Sequence, residues 1–173
     1  NFKKNNFFTR RKKSIPLQKT KEVHKHRNKF GEKELKEFSI LFLVINNLDA
    51  FRKNIELISE IKFSTNILND FKKKLIDFLI SEKFFDKKKL DIVDFEKEFE
   101  STINEINDNA PIKAIYKNKK ENEIVAIFDE IADEIKKIDL REKIEFLEDK
   151  VSLNLDESLY SELLSLRNQL KGG

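Results

Sequence analysis

The side chains of this chain that could do chemistry are carboxylates, lysines and two histidines. Asp129 with Asp133, and Glu130 with Glu134, place acids four residues apart. That spacing puts them on one face of a helix, where they could share a divalent cation. Asp94, Glu96, Glu98 and Glu100 form a second acidic cluster. Arg10, Arg11, Lys12 and Lys13 follow Phe7 and Phe8, which offers charge for phosphates and rings for stacking on bases. His24 and His26 are the only histidines, and there is no Cys.

Each of these groups also has a plainer reading. The acids around residue 96 alternate with Phe95, Lys97 and Phe99 as on a solvated helical face, and no Asp-x-Asp pair occurs. Like charges four apart are common on wet helices too, so we expect no metal site. His24 and His26 have neither a Cys nor a structured carboxylate beside them. Beyond residue 33 there is no His, which excludes Ser/His/Asp and Cys/His catalysis and the helical Glu-x-x-His metal motif. The three glycines, Gly31, Gly172 and Gly173, cannot build a phosphate-cradling loop. No catalytic residue and no cofactor is expected in this chain.

Charge divides the sequence. Residues 1–33 carry 12 Lys/Arg against Glu22 and Glu32, net +10, leaving 23 bases and 30 acids, net −7, for the rest. The first segment has scattered apolar residues, Pro16 and no sustained period, so it reads as a flexible basic linker. Its basic residues Arg10, Arg11, Lys12 and Lys13 suit a solvated tether better than a nucleic-acid arm. Absent cysteine fits a reducing, cytoplasmic setting. The longest apolar run, residues 40–45, is far short of the roughly 20 residues of a bilayer span. With no Met anywhere, the chain reads as a piece of a longer polypeptide.

The elements that must position any site are helical. From Glu34 onward apolar residues recur with the 3.6-residue period, so the fold class is all-α. Leu35, Phe38, Leu41, Phe42 and Ile45, with Leu43 and Val44 on the other sides, predict a central helix. Asp49 is expected to cap a second helix through Ile61, and Ser64 a third through Leu79. A weaker stretch from Leu90 to Ile106 ends before Pro111.

From Glu121 to Asp149 there is neither Gly nor Pro, and Ile124, Phe128, Ile131, Ile135 and Ile138 repeat at spacings of 4, 3, 4 and 3. The stripe then slips to Leu140, Ile144, Leu147 and Val151, so one long helix faces two neighbours in turn. At ~1.5 Å per residue it should outrun the preceding bundle. After a loop over residues 152–155, Asp156 caps a last helix whose Leu159, Leu163, Leu166 and Leu170 form a seam for that second half. The expected organisation is a linker over 1–33, a helical bundle over 34–119, and the long helix with a C-terminal α-hairpin over 120–173. Phe146, Tyr160 and Leu164 lie off the seam and are the candidate partner contacts.

The order of elements resembles the C-terminal helicase-binding domain of bacterial DnaG-type replicative primases, over residues 32–171. The resemblance is carried by Glu32-Lys33-Glu34-Leu35 running through Ile40-Leu41-Phe42-Leu43 to Asn46-Asn47, and by Phe71 and Leu75. It continues with Phe128-Asp129-Glu130-Ile131, Leu140-Arg141-Glu142-Lys143-Ile144, Leu155-Asp156-Glu157 and Leu166-Arg167-Asn168-Gln169-Leu170. Leu48 stands where members often carry Pro. The resemblance implies a bundle joined by a long helix to a hairpin that docks on the hexameric replicative DNA helicase. It also implies a parent primase whose catalytic parts, with their zinc and magnesium, lie outside this chain. The alternative from the residues alone is a helical accessory protein that binds nucleic acid through its basic N-terminal arm.

Overall fold

The computed structural model describes residues 30–81, 86–90, 95, 97–154 and 156–172. Residues 1–29 of the expected linker, with Arg10, Arg11, Lys12, Lys13, His24 and His26, lie outside the described residues, as do Asp94 and Glu96, while its last two residues, Glu32 and Lys33, belong to the first helix of the bundle. Among the described residues there are α-helices and short 3₁₀ turns and no strand. The fold class is therefore all-α, as the periodicity predicts. No helix among them is long and apolar enough to cross a membrane.

Helix α1 (Glu32–Asn46) is the centre of the bundle. Every residue from Glu37 to Ile45 is buried, as expected of a helix apolar nearly all round. Its C-terminal end is closed by its own side chains: Asn46 and Asn47 donate from Nδ2 to the Phe42 and Leu43 carbonyls, each at 2.8 Å. The segment at residues 87–90 completes this closure, with the Leu90 amide donating to the Ile45 carbonyl at 2.8 Å. Carbonyls at a helix end have no partner within the helix, so an adjoining strand of backbone is one way to satisfy them.

The second helix predicted from Asp49 to Ile61 is two helices, α2 (Leu48–Arg52) and α3 (Ile55–Glu60). The break falls at Lys53 and Asn54, where the Asn54 side chain donates to the Ala50 carbonyl at 2.7 Å and its amide to the Phe51 carbonyl at 3.2 Å. Asparagine competes for backbone carbonyls in this way and favours turns over helix interiors. Asp49 is not a cap; its carboxylate pairs with Arg52 at 2.8 Å.

Helix α4 (Asn66–Ile80) is capped by Thr65, whose Oγ1 accepts from the Leu68 amide at 3.4 Å, and not by Ser64. Ser64 is engaged elsewhere. Helix α5 (Glu100–Asn109) follows a 3₁₀ turn over Lys97–Phe99, so α-helix occupies only the end of the weaker stretch. Phe71 of α4 packs against Phe99 at 5.5 Å between ring centroids. A second 3₁₀ turn, Pro111–Ala114, and Asn118 at φ 66° lead into the long helix. Asn tolerates this left-handed conformation better than most residues.

Helix α6 (Glu121–Leu153) is 33 residues long, or about 50 Å. It starts with the Glu123 carboxylate accepting the Lys120 amide at 2.9 Å. Its first half buries Ile124, Phe128, Ala132 and Ile135. Phe128 meets Phe51 of α2 with ring centroids 4.9 Å apart. Ala132 is buried where the spacing points to Ile131, which is half-buried. The helix also runs through Ser152 and Leu153, which the sequence assigns to a loop.

Helix α7 (Glu157–Gly172) returns along the second half of α6. Asp156 caps it, its Oδ1 accepting the Ser158 amide at 2.8 Å. Ile144, Leu147 and Leu163 are the buried centre of this hairpin, flanked by Leu140, Val151, Leu159, Leu166 and Leu170. All eight belong to α6 or α7, so two helices alone build this small core. Removing most of the Leu163 side chain, as in Leu163→Ala, should cost about 2–4 kcal/mol. Hydrogen exchange should show the loss confined to residues 140–172, with α1 and α4 amides still protected.

Candidate functional site

The second half of α6 and the whole of α7 present the candidate contact residues. Phe146, Tyr160 and Leu164 are 59%, 50% and 42% exposed. Helical register separates them into two sets. Arg167 of α7 pairs with Glu148 of α6 at 2.7 Å, which marks one edge of the hairpin. Tyr160 and Leu164 lie seven and three residues before Arg167, on that same flank. Phe146 is two residues before Glu148, about 200° around α6, and so faces the opposite flank. There the Lys150 ammonium sits over its ring, 4.3 Å from the centroid.

The flank that bears Phe146 opens into a cavity of about 460 Å³ where hairpin and bundle meet. Lys33 from α1, Lys62, Phe63 and Ser64 from the α3–α4 connection, and Asp139, Glu142 and Lys143 from α6 complete its walls. Two ion pairs hold α6 to α1 beside it, Lys33 with Asp139 and Lys36 with Glu134. Burial draws the Lys33 ammonium down, but the hydrogen bond and charge of Asp139 more than offset this and leave it above its ordinary value. For Lys36 the Glu134 hydrogen bond leads, and the direction is the same.

Behind Lys33 and Ser64 lies a group that the apolar pattern does not single out. Glu37 is fully buried in α1. Its Oε1 accepts from the Ser64 amide at 2.8 Å and the Ser64 hydroxyl at 2.7 Å, while Oε2 has no hydrogen-bond partner. Burial pushes this carboxyl above the usual carboxylate range, against the pull of Ser64 and Lys33. The only sequence signal for it is a charge inside an otherwise apolar turn, at Glu37-Phe38-Ser39-Ile40.

The acidic groups that could have held a cation are divided among other tasks. Glu134 is committed to Lys36, and Asp133 pairs with Lys136 at 3.3 Å. Asp129 lines a separate groove of about 320 Å³ with Glu60, Asp133 and Lys136, over Leu57, Ile61, Phe128 and Ala132. Among the described residues no three His, Asp or Glu side chains are grouped to hold a metal ion. What the hairpin and its cavity can do chemically is bind: they offer exposed rings, a leucine and lysines. No family model, no curated protein and no solved structure matches this chain.

The buried carboxyl gives stability a pH dependence. The folded protein holds the Glu37 proton more tightly than the unfolded chain does. Its contribution is therefore fully present below the unfolded carboxylate range and is lost as pH rises through the raised folded value. Glu37→Gln keeps an acceptor for Ser64 without a charge, so its urea midpoint relative to the parent should rise between about pH 4 and pH 7. Glu37→Ala strands the Ser64 amide and hydroxyl and should cost about 1–3 kcal/mol at either pH.

Proposed function

We propose that residues 34–173 are a docking domain of a bacterial replicative primase, which recruits primer synthesis to the replication fork by binding the hexameric replicative helicase in the cytoplasm. The observation that carries this reading is the hairpin. It has a core of its own, contributed by two helices, and it leaves Phe146, Tyr160 and Leu164 exposed on its flanks. Exposed aromatic and leucine side chains on a rigid helical pair are what a protein partner can cover. Tyrosine is among the residues that carry most binding energy at interfaces. The sequence resemblance over residues 32–171 supplies the identity of the partner.

In this reading the domain does no chemistry. Docking converts an encounter between primase and unwound template into an intramolecular one, and the basic segment ahead of residue 34 sets the reach of the tether. Zinc, magnesium and polymerisation belong to other parts of the parent primase. A second reading is favoured by one observation, the net charge of +10 on residues 1–33. It makes the protein a nucleic-acid-binding accessory that works through Arg10, Arg11, Lys12 and Lys13.

Calorimetric titration of the whole chain against the replicative helicase of the same organism distinguishes the two. Docking predicts saturable binding that Tyr160→Asp or Leu164→Asp weakens about tenfold or more, with helicity by circular dichroism unchanged. Failure of the folded chain to bind would sink this reading. Binding to single-stranded nucleic acid that falls steeply with salt and disappears when all four basic residues of the cluster are changed to Gln would establish the alternative.

A further inference from the structure

We propose that the cavity at the base of the hairpin is a second docking point, which takes an acidic segment of the partner bearing a bulky apolar side chain beside its carboxylates. This rests on the helicase-docking reading and specifies which chemistry of the partner is read on the Phe146 flank. The argument begins with charge. The cavity is lined by Lys33, Lys62 and Lys143 against Asp139 and Glu142. Of the two carboxylates Asp139 is engaged by Lys33, and Glu142 is left without a hydrogen bond or ion pair among the described residues. Lys62 on the bundle side and Lys143 on the hairpin side have no hydrogen-bond or ion-pair partner among the described residues.

Lys150, over the Phe146 ring, adds a further positive charge beside that lining residue. In a folded part that carries net −7, this is a local inversion of sign, with two ammonium groups that have no partner among the described residues lining one opening. A carboxylate seated there gains charge-assisted hydrogen bonds at little desolvation cost to the protein. The rim supplies the apolar half of the site, because Phe146 stays exposed beside it. A small free anion would leave that ring uncovered. A bare run of phosphates offers that ring no apolar side chain either. An acidic peptide segment with one large apolar side chain satisfies both halves. Since the walls come from the bundle and from α6, its seating also ties the hairpin to the bundle.

The test uses the whole chain and the hexameric helicase of the same organism, with binding measured at several salt concentrations. Lys62→Glu with Lys143→Glu should raise Kd about tenfold or more and flatten its salt dependence. Lys89→Glu with Lys117→Glu, which changes net charge equally near the other end of α1, beside Leu90 and Tyr116, should leave Kd within about twofold. Phe146→Ala should weaken binding to a similar degree at all salt concentrations. Lys62 and Lys143 are exposed and bond nothing among the described residues, so the fold should tolerate their reversal; Lys62→Gln with Lys143→Gln provides a milder version with the same direction. Cavity and control pairs with equal affinities would overturn the inference and leave the docking reading standing. A wild-type chain that does not bind helicase would remove both. Binding of a single-stranded oligonucleotide that is lost in the Lys62/Lys143 pair alone would assign the cavity to phosphate and overturn the proposal.

Discussion

The packing of α6 against α1 is the constraint on which the rest of this molecule depends. Helix α1 is apolar on nearly every side, so it must be enclosed, and the first half of α6 forms one wall of that enclosure. Ion pairs from Lys33 and Lys36 to Asp139 and Glu134 fix the two helices along their length. Such pairs contribute little stability when exposed. Their value here is positional, because they set the point on α6 at which the bundle stops and the hairpin begins. Everything presented by the second half of α6 and by α7 is aimed from that point.

A hairpin of two helices has too little apolar surface to bury more than one seam. Ile144, Leu147 and Leu163 use that seam fully, with five neighbours half-covered around them. Side chains outside it are left to solvent or to a partner, and Phe146, Tyr160 and Leu164 are in that position. The flanks differ in character: one has an aromatic and a leucine beside an Arg–Glu pair, the other an aromatic at the mouth of a lysine-bearing cavity. A partner that engaged both would grip the hairpin from two sides.

Much of this architecture was legible before any coordinates. The 4, 3, 4, 3 spacing along α6, the slip of its stripe near residue 140, and the leucine seam of α7 each specified a helix, a change of neighbour and a pairing. The exposure of Phe146, Tyr160 and Leu164 followed from the same geometry. Less legible were the short elements. A single Asn54 split the second helix by bonding back to Ala50, and Thr65 displaced Ser64 as a cap because Ser64 was already held by Glu37. Local pattern could not decide these, since the competing hydrogen bonds are each worth only about 1 kcal/mol and the winner is set by what else is near.

The sequence by itself determined the all-α class, the long helix, the hairpin seam and the division of charge between residues 1–33 and the remainder. These are periodic or summed properties, in which many residues agree and no single one decides. Tertiary structure alone decided that Glu37 is buried against Ser64, and that Lys33 takes Asp139 while Lys62 and Lys143 have no partner among the described residues. Those outcomes join residues as much as 106 positions apart. They depend on where two helices cross, which is fixed by side-chain packing across the whole bundle and leaves no local mark in the chain.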